Sequence, residues 1–156
     1  MPDGVTTHVD HDTASATVVV DAPPDAVFDF LRRPANHPII SGDHSVRGLT
    51  QGPELLALGD RFGMKMKVGV PYRVRCKVVE FEENRRIAWC HLGGHRWRWE
   101  LKPGDDGKTT VTETFDQSTA RFPPALRIAG YPKRHESNVA SSVANVRDHF
   151  AEAGVK

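Results

Sequence analysis

Only two cysteines, Cys76 and Cys90, occur among the 156 residues, and they do not fall in a metal-ligand spacing. This excludes a disulfide framework and a cysteine zinc site, and two reduced thiols fit a reducing compartment. No apolar run approaches the roughly 20 residues that cross a bilayer. The start, Met1-Pro2-Asp3-Gly4-Val5-Thr6-Thr7, lacks the basic and apolar segments of a signal peptide, so a cytoplasmic location is the expectation. Charge of one sign is also missing. With 21 Lys+Arg against 20 Asp+Glu, the formal charge is +1, which gives no general attraction to nucleic acid. Serine nucleophile elbows, phosphate-cradling glycine loops and HExxH are absent. Hydrolase, kinase and zinc-enzyme readings lose their support.

The dominant pattern in the chain is alternation. Residues 1–12 are polar and are expected to form a flexible start. His8, Asp10 and His11 within them read as a solvated terminus, so neither a metal nor a cofactor is assigned. Residues 13–154 are expected to form one domain. Ala14–Val20 reads as a strand, and Pro23-Pro24-Asp25 opens a short helix carrying Val27, Phe28 and Leu31. Pro34 and Pro38 break the helical pattern beyond Leu31, leaving room for a second short helix, with Asn36-His37-Pro38 as a helix-end loop.

From Ser45 the period becomes two. Ser45–Thr50, Arg61–Val68, Tyr72–Phe81, Arg86–His91, His95–Leu101 and Lys108–Asp116 complete a count of about seven strands. Phe62, Met64 and Met66 alternate with Arg61, Lys65 and Lys67, and Tyr72, Val74 and Cys76 with Arg73, Arg75 and Lys77. Pro123-Pro124 suggests a helical turn ended by Gly130. A long helix then runs from Pro132 to about Ala153, with Val139, Val143, Val146 and Phe150 as its stripe. Strand, short helices, meander and long helix make an α+β domain.

The order and spacing of several segments resemble the START/Bet v 1-like superfamily, also labelled SRPBCC or polyketide cyclase/dehydrase. These segments are Val20–Phe28, Leu58-Gly59-Asp60-Arg61-Phe62, Trp97-Arg98-Trp99-Glu100-Leu101 and Gly107–Phe115, followed by the closing helix. The resemblance covers residues 12–153 and implies a helix-grip fold: a curved antiparallel sheet around the C-terminal helix, enclosing an apolar cavity. It implies a hydrophobic small-molecule ligand, lipid- or polyketide-like, and leaves carrier and enzyme both open.

Glu113 shares a strand face with Val111 and Phe115, so alternation puts a carboxylate on the apolar side, where desolvation raises its pKa. His91, His95 and His135 fall on cavity-side positions. Glu113, His135 and His91 are the candidate acid/base groups. The expected ligand wall is Phe62, Met64, Met66, Tyr72, Trp89, Trp97, Trp99, Phe115, Tyr131 and Val139, together with His91, Glu113 and His135. Small Val and Ala residues on the long helix are read as favouring a void. Arg96 and Arg98 alternate with the tryptophans and read as an outward, solvated row. Three functions stay open: a carrier, a cyclase/aromatase/dehydrase-type enzyme, and an interaction domain with a filled core. A monomer and a homodimer are both compatible with the sequence.

Overall fold

The computed structural model describes residues 2–90, 94–119 and 131–154. Its strands are β1 (Thr6–Val9), β2 (Thr13–Val20), β3 (Val46–Gln51), β4 (Arg61–Val68), β5 (Val70–Glu82), β6 (Arg86–Cys90), β7 (Arg96–Pro103) and β8 (Thr109–Asp116). They form one antiparallel sheet of 8 strands in the order β1-β2-β8-β7-β6-β5-β4-β3. Helix α1 (Pro24–Leu31), a 3-10 turn (Pro34–Asn36) and α2 (His37–Ile40) join β2 to β3. The long helix α3 (Tyr131–Gly154) closes the fold.

The fold is the α+β architecture expected, with one strand more. Residues 6–9, expected within a flexible start, form β1 and pair with β2 from Thr6↔Thr17 to Val9↔Ala14. The connection is closed by Asp10, whose carboxylate accepts from the backbone N–H groups of Asp12 and Thr13. His8 and His11 therefore flank a turn around an Asx-type cap. The segment Pro123–Gly130, read as a helical turn, lies outside the described residues.

Two sides of the sheet have different cover. Helix α3 packs chiefly on β2, with further contact to β8 and β1. Strand β2 presents Ala14, Ala16, Val18 and Val20, all buried, and the helix answers with Val139, Ala140, Val143 and Val146. Small side chains on both surfaces let the helix axis come close. The sequence reading of these residues needs correction: their small size brings helix and sheet together rather than leaving a void. The void lies over β4 to β7, where Phe62, Met64, Trp89, Trp97 and Trp99 project from strands on which α3 makes few contacts.

On the convex face, Arg96 and Arg98 are not a simple solvated row. Glu80 of β5 accepts from Arg96 Nη1 at 2.8 Å and from Arg98 Nη2 at 2.8 Å and Nε at 3.0 Å. Arg98 also reaches Asp116 of β8 at 3.2 Å. One guanidinium thus ties β5 to β8 across two intervening strands, and it holds the Glu80 carboxyl below its usual range. Replacing it should cost more than an exposed pair does, because both acids are four-fifths or more covered. Arg98→Ala is expected to lower unfolding free energy by about 2 kcal/mol in urea titrations, and Arg98→Lys to recover only part, since the fork geometry is lost.

Candidate functional site

Between the uncovered strands and α3 lies a cavity of about 480 Å³. That volume is within the range of small-molecule sites, and it removes the filled-core reading. Its wall includes Phe62, Met64 and Met66 from β4, Tyr72, Val74 and Cys76 from β5, Trp89 from β6, and Trp97 and Trp99 from β7. Glu113 of β8 and His135 of α3 complete the expected residues that line it. Phe115 and Val139 are fully buried and do not line the cavity. Phe115 lies instead behind His135 and Trp97, with ring centroids 4.3 and 5.0 Å away. Val139 belongs to the helix–sheet core. His91 lies outside the described residues, as does the side chain of Tyr131.

Glu113 is 5% exposed. Its strand neighbours are Ala16 of β2, under the helix, and Trp99 of β7, under the cavity. The carboxyl therefore stands where helix cover gives way to empty space. Burial drives its pKa well above the usual carboxylate range, and nearby Asp43 pushes in the same direction. A hydrogen bond with Ser142 on α3 is the opposing influence. Ser142 Oγ accepts from the Gly42 backbone N–H at 3.0 Å, which leaves its hydroxyl proton for Glu113. Among the described residues, Glu113 Oε1 has no hydrogen-bond partner, and neither has the buried indole N–H of Trp99. An acid proton or acceptor and an N–H donor thus stand unmatched on adjacent strands of one cavity wall.

Sequence reasoning missed the α2 side of this site. His37, read as part of a helix-end loop, is 5% exposed and lines the cavity. Its ring stacks on Trp89 at 4.5 Å, and its Nε2 is 3.1 Å from the Leu31 carbonyl oxygen, which fixes Nε2 as the donor. Burial lowers its pKa to about 4, against the smaller upward influence of that bond. The one signal available was Ile40 after Pro38, which is buried while its neighbour Ile39 stays exposed.

Asp43, at the rim, accepts from Ser45 N–H at 2.9 Å and from Ser41 Oγ at 3.2 Å. Burial raises its pKa, but the bonds from Ser45 and Ser41 outweigh it, and the group stays ionised. Gly42 is pressed against Asn138 and Ser142, so a Cβ there would collide with the Asn138 carbonyl. Cys76 lines the wall as an apolar group, because burial and then the neighbouring Cys90 push its thiol up to about 12. No Lys or Arg lines the cavity among the described residues.

An antiparallel sheet, a long helix packed on one side of it and a cavity with one buried acid at its edge define the architecture. Residues 11–151 match the family described as polyketide cyclase / dehydrase and lipid transport, and the chain belongs to that family. It is 34% identical over 142 residues to the uncharacterized protein Rv0088 of Mycobacterium tuberculosis, an alignment covering 88% of this chain and 63% of that protein. The chain thus spans less than two thirds of that relative's length. Among solved structures, a protein from Arthrobacter aurescens has a TM-score of 0.74 at 13% identity, over 94% of this chain and 91% of that one. A Rhodobacter sphaeroides protein has a TM-score of 0.67 at 16% identity, over 95% and 98%. The Aha1 dimer from Colwellia psychrerythraea has a TM-score of 0.56 at 14% identity, over 88% and 95%. Likeness at these identities concerns the fold alone. No described helix is long and apolar enough to cross a membrane.

The two buried titrating groups act on stability with opposite sign. Glu113, with its folded pKa raised, binds a proton that the unfolded chain releases, so its contribution is lost as pH climbs above the ordinary carboxylate range. Glu113→Gln should therefore gain stability relative to the wild type with rising pH, by up to about 1.4 kcal/mol per unit until the folded carboxyl ionises. His37, with its folded pKa lowered, withdraws stability as pH falls from 6.5 to about 4. The withdrawal is roughly 3 kcal/mol, and His37→Phe should abolish that slope in denaturation curves recorded across this window.

Proposed function

We propose that this protein binds a hydrophobic small molecule in the cavity between α3 and strands β4 to β7. The ligand carries a neutral oxygen, a hydroxyl or a carbonyl, at the Glu113 end. The observation that carries this reading is Glu113 Oε1, without a hydrogen-bond partner among the described residues, at a cavity whose β4–β7 side is lined by aromatic, methionine, valine and cysteine side chains. A buried polar atom without a partner costs free energy that a ligand group can recover. Ser142 orients the carboxyl.

The same wall argues against an anionic ligand. Asp43 is ionised at the rim, Glu113 resists ionisation, and no lysine or arginine among the described lining residues would neutralise a carboxylate. Moving a bare anion into such a site is unfavourable by several kcal/mol. Phe62, Met64, Met66, Tyr72, Trp89 and Trp97 provide an adaptable apolar surface that suits an aromatic or lipid-like body.

Catalysis is the second reading, and one observation favours it: burial at the cavity raises the Glu113 pKa well above the usual carboxylate range, the direction that suits a general acid. Glu113 would be the acid, with His135 across the cavity as its partner. In that case the substrate class is the same, and the wall folds it toward cyclisation or dehydration.

Native mass spectrometry of freshly purified protein should show a retained small molecule. In thermal-shift titrations with an alcohol, a ketone and a carboxylate sharing one apolar body, the neutral pair should raise Tm and the carboxylate should not. Preference for the carboxylate would overturn the reading. Glu113→Gln should weaken binding of the neutral ligands by less than about tenfold. If the protein is an enzyme, that substitution should lower turnover by roughly 10²–10⁴.

A further inference from the structure

The inner face of the β4–β5 ribbon lines the cavity; its outer face carries a different chemistry. Arg61, Lys65 and Lys67 on β4 and Arg73, Arg75 and Lys77 on β5 are all exposed and alternate with the cavity-wall residues. The register sets Arg61 opposite Lys77 and Lys65 opposite Arg73. Like charges directly opposite across an antiparallel pair are destabilising. None of these cations forms an ion pair among the described residues, and the acid further along β5, Glu80, is already engaged by Arg96 and Arg98. Exposed Arg47 on the neighbouring β3 adds to the patch. In a chain whose formal charge is only +1, this is a strong segregation.

The tip of the same ribbon is apolar. Gly69, at φ +73°, turns the chain between Val68 and Val70, which are cross-strand partners. Val68, Val70 and Tyr72 are 65%, 72% and 45% exposed, and Val68 and Tyr72 also line the cavity. The tip is thus a lip of the binding site.

From these features we infer that the β4–β5 ribbon docks on an anionic lipid surface, with its apolar tip entering the interface and its cations on the headgroups. Charge complementarity selects the partner: an unpaired cationic face finds its counter-charge in the lipid headgroups. The tip decides between lipid and nucleic acid, since a polyanion in water offers nothing to three exposed apolar side chains. At about 3.3 Å per residue, Lys65 and Arg73 lie within roughly 13 Å of the turn, at headgroup depth when the tip is buried by 5–10 Å. Docked in this way, the cavity lip faces the phase from which an apolar ligand would come.

This inference does not require the cavity to be occupied, so the test uses the full chain without added ligand. Flotation with phosphatidylcholine vesicles containing phosphatidylserine should retain the protein, and pure phosphatidylcholine vesicles should not. Raised salt should release it. Lys65→Glu should weaken anionic-vesicle binding about tenfold or more while raising Tm, because it replaces a like-charge cross-strand pair by an opposite one. Val70→Ser, which alters neither the cations nor the cavity wall, should weaken vesicle binding severalfold. Four results would each overturn the inference: no preference for anionic vesicles, no effect of Val70→Ser, a lower Tm for Lys65→Glu, or tighter binding to duplex DNA or RNA than to vesicles. Failure of vesicle binding leaves the cavity-ligand titrations unaffected, and their failure leaves membrane docking standing.

Discussion

Helix α3 can lie close to the sheet only where both surfaces are small. Ala14, Ala16 and Val18 on β2 meet Val139, Ala140 and Val143 on the helix, and close packing there anchors α3 over one side of the sheet. A sheet of 8 strands is wider than one helix, so its other side curls away with its apolar face uncovered. Large side chains, three of them tryptophan, line that face. Both the cavity and the position of its polar groups follow from this unequal cover.

Glu113 lies on the border between the two sides. Its strand is the last on which α3 packs extensively, and Ser142 reaches it from the helix while Trp99 flanks it from the hollow side. A carboxyl in such a place reduces stability when ionised and is tolerated when protonated. Gly42 matters for the same reason. Its lack of a side chain lets the loop after α2 press against α3, which sets the Gly42 N–H on Ser142 and brings Asp43 to the rim. Three segments distant in sequence thereby control one acid.

The β4–β5 ribbon joins the interior to the exterior. Between Arg61 and Lys77, even-numbered residues form cavity wall and lip, and Arg61, Lys65, Lys67, Arg73, Arg75 and Lys77, all odd-numbered, form the cationic face. The period of two in one short stretch therefore couples ligand access to whatever surface the ribbon meets. Family membership fixes the architecture but leaves the chemistry to individual residues. Here those residues are a buried acid whose pKa is raised, a low-pKa histidine stacked on Trp89, and a wall with no lysine or arginine among the described residues.

Alternation made most strands, the outward Arg96 and Arg98 and the inward Glu113 readable from sequence, and helical spacing did the same for α3. Period-two patterns define which side a residue takes, and that survives into three dimensions. They carry no information on depth or on distant partners. Strand β1 escaped because its polar residues lie at a sheet edge, where pairing with β2 rather than burial holds them. His37 escaped because its burial depends on Leu31 and Trp89, the latter more than fifty positions away. Phe115 and Val139 share a face with true lining residues, yet only packing decides that another side chain stands in front of them. The chain's own order determined strands, helix and the apolar setting of Glu113. Where the helix rests, and hence which wall residues face space rather than one another, was decided by contacts between segments far apart in sequence.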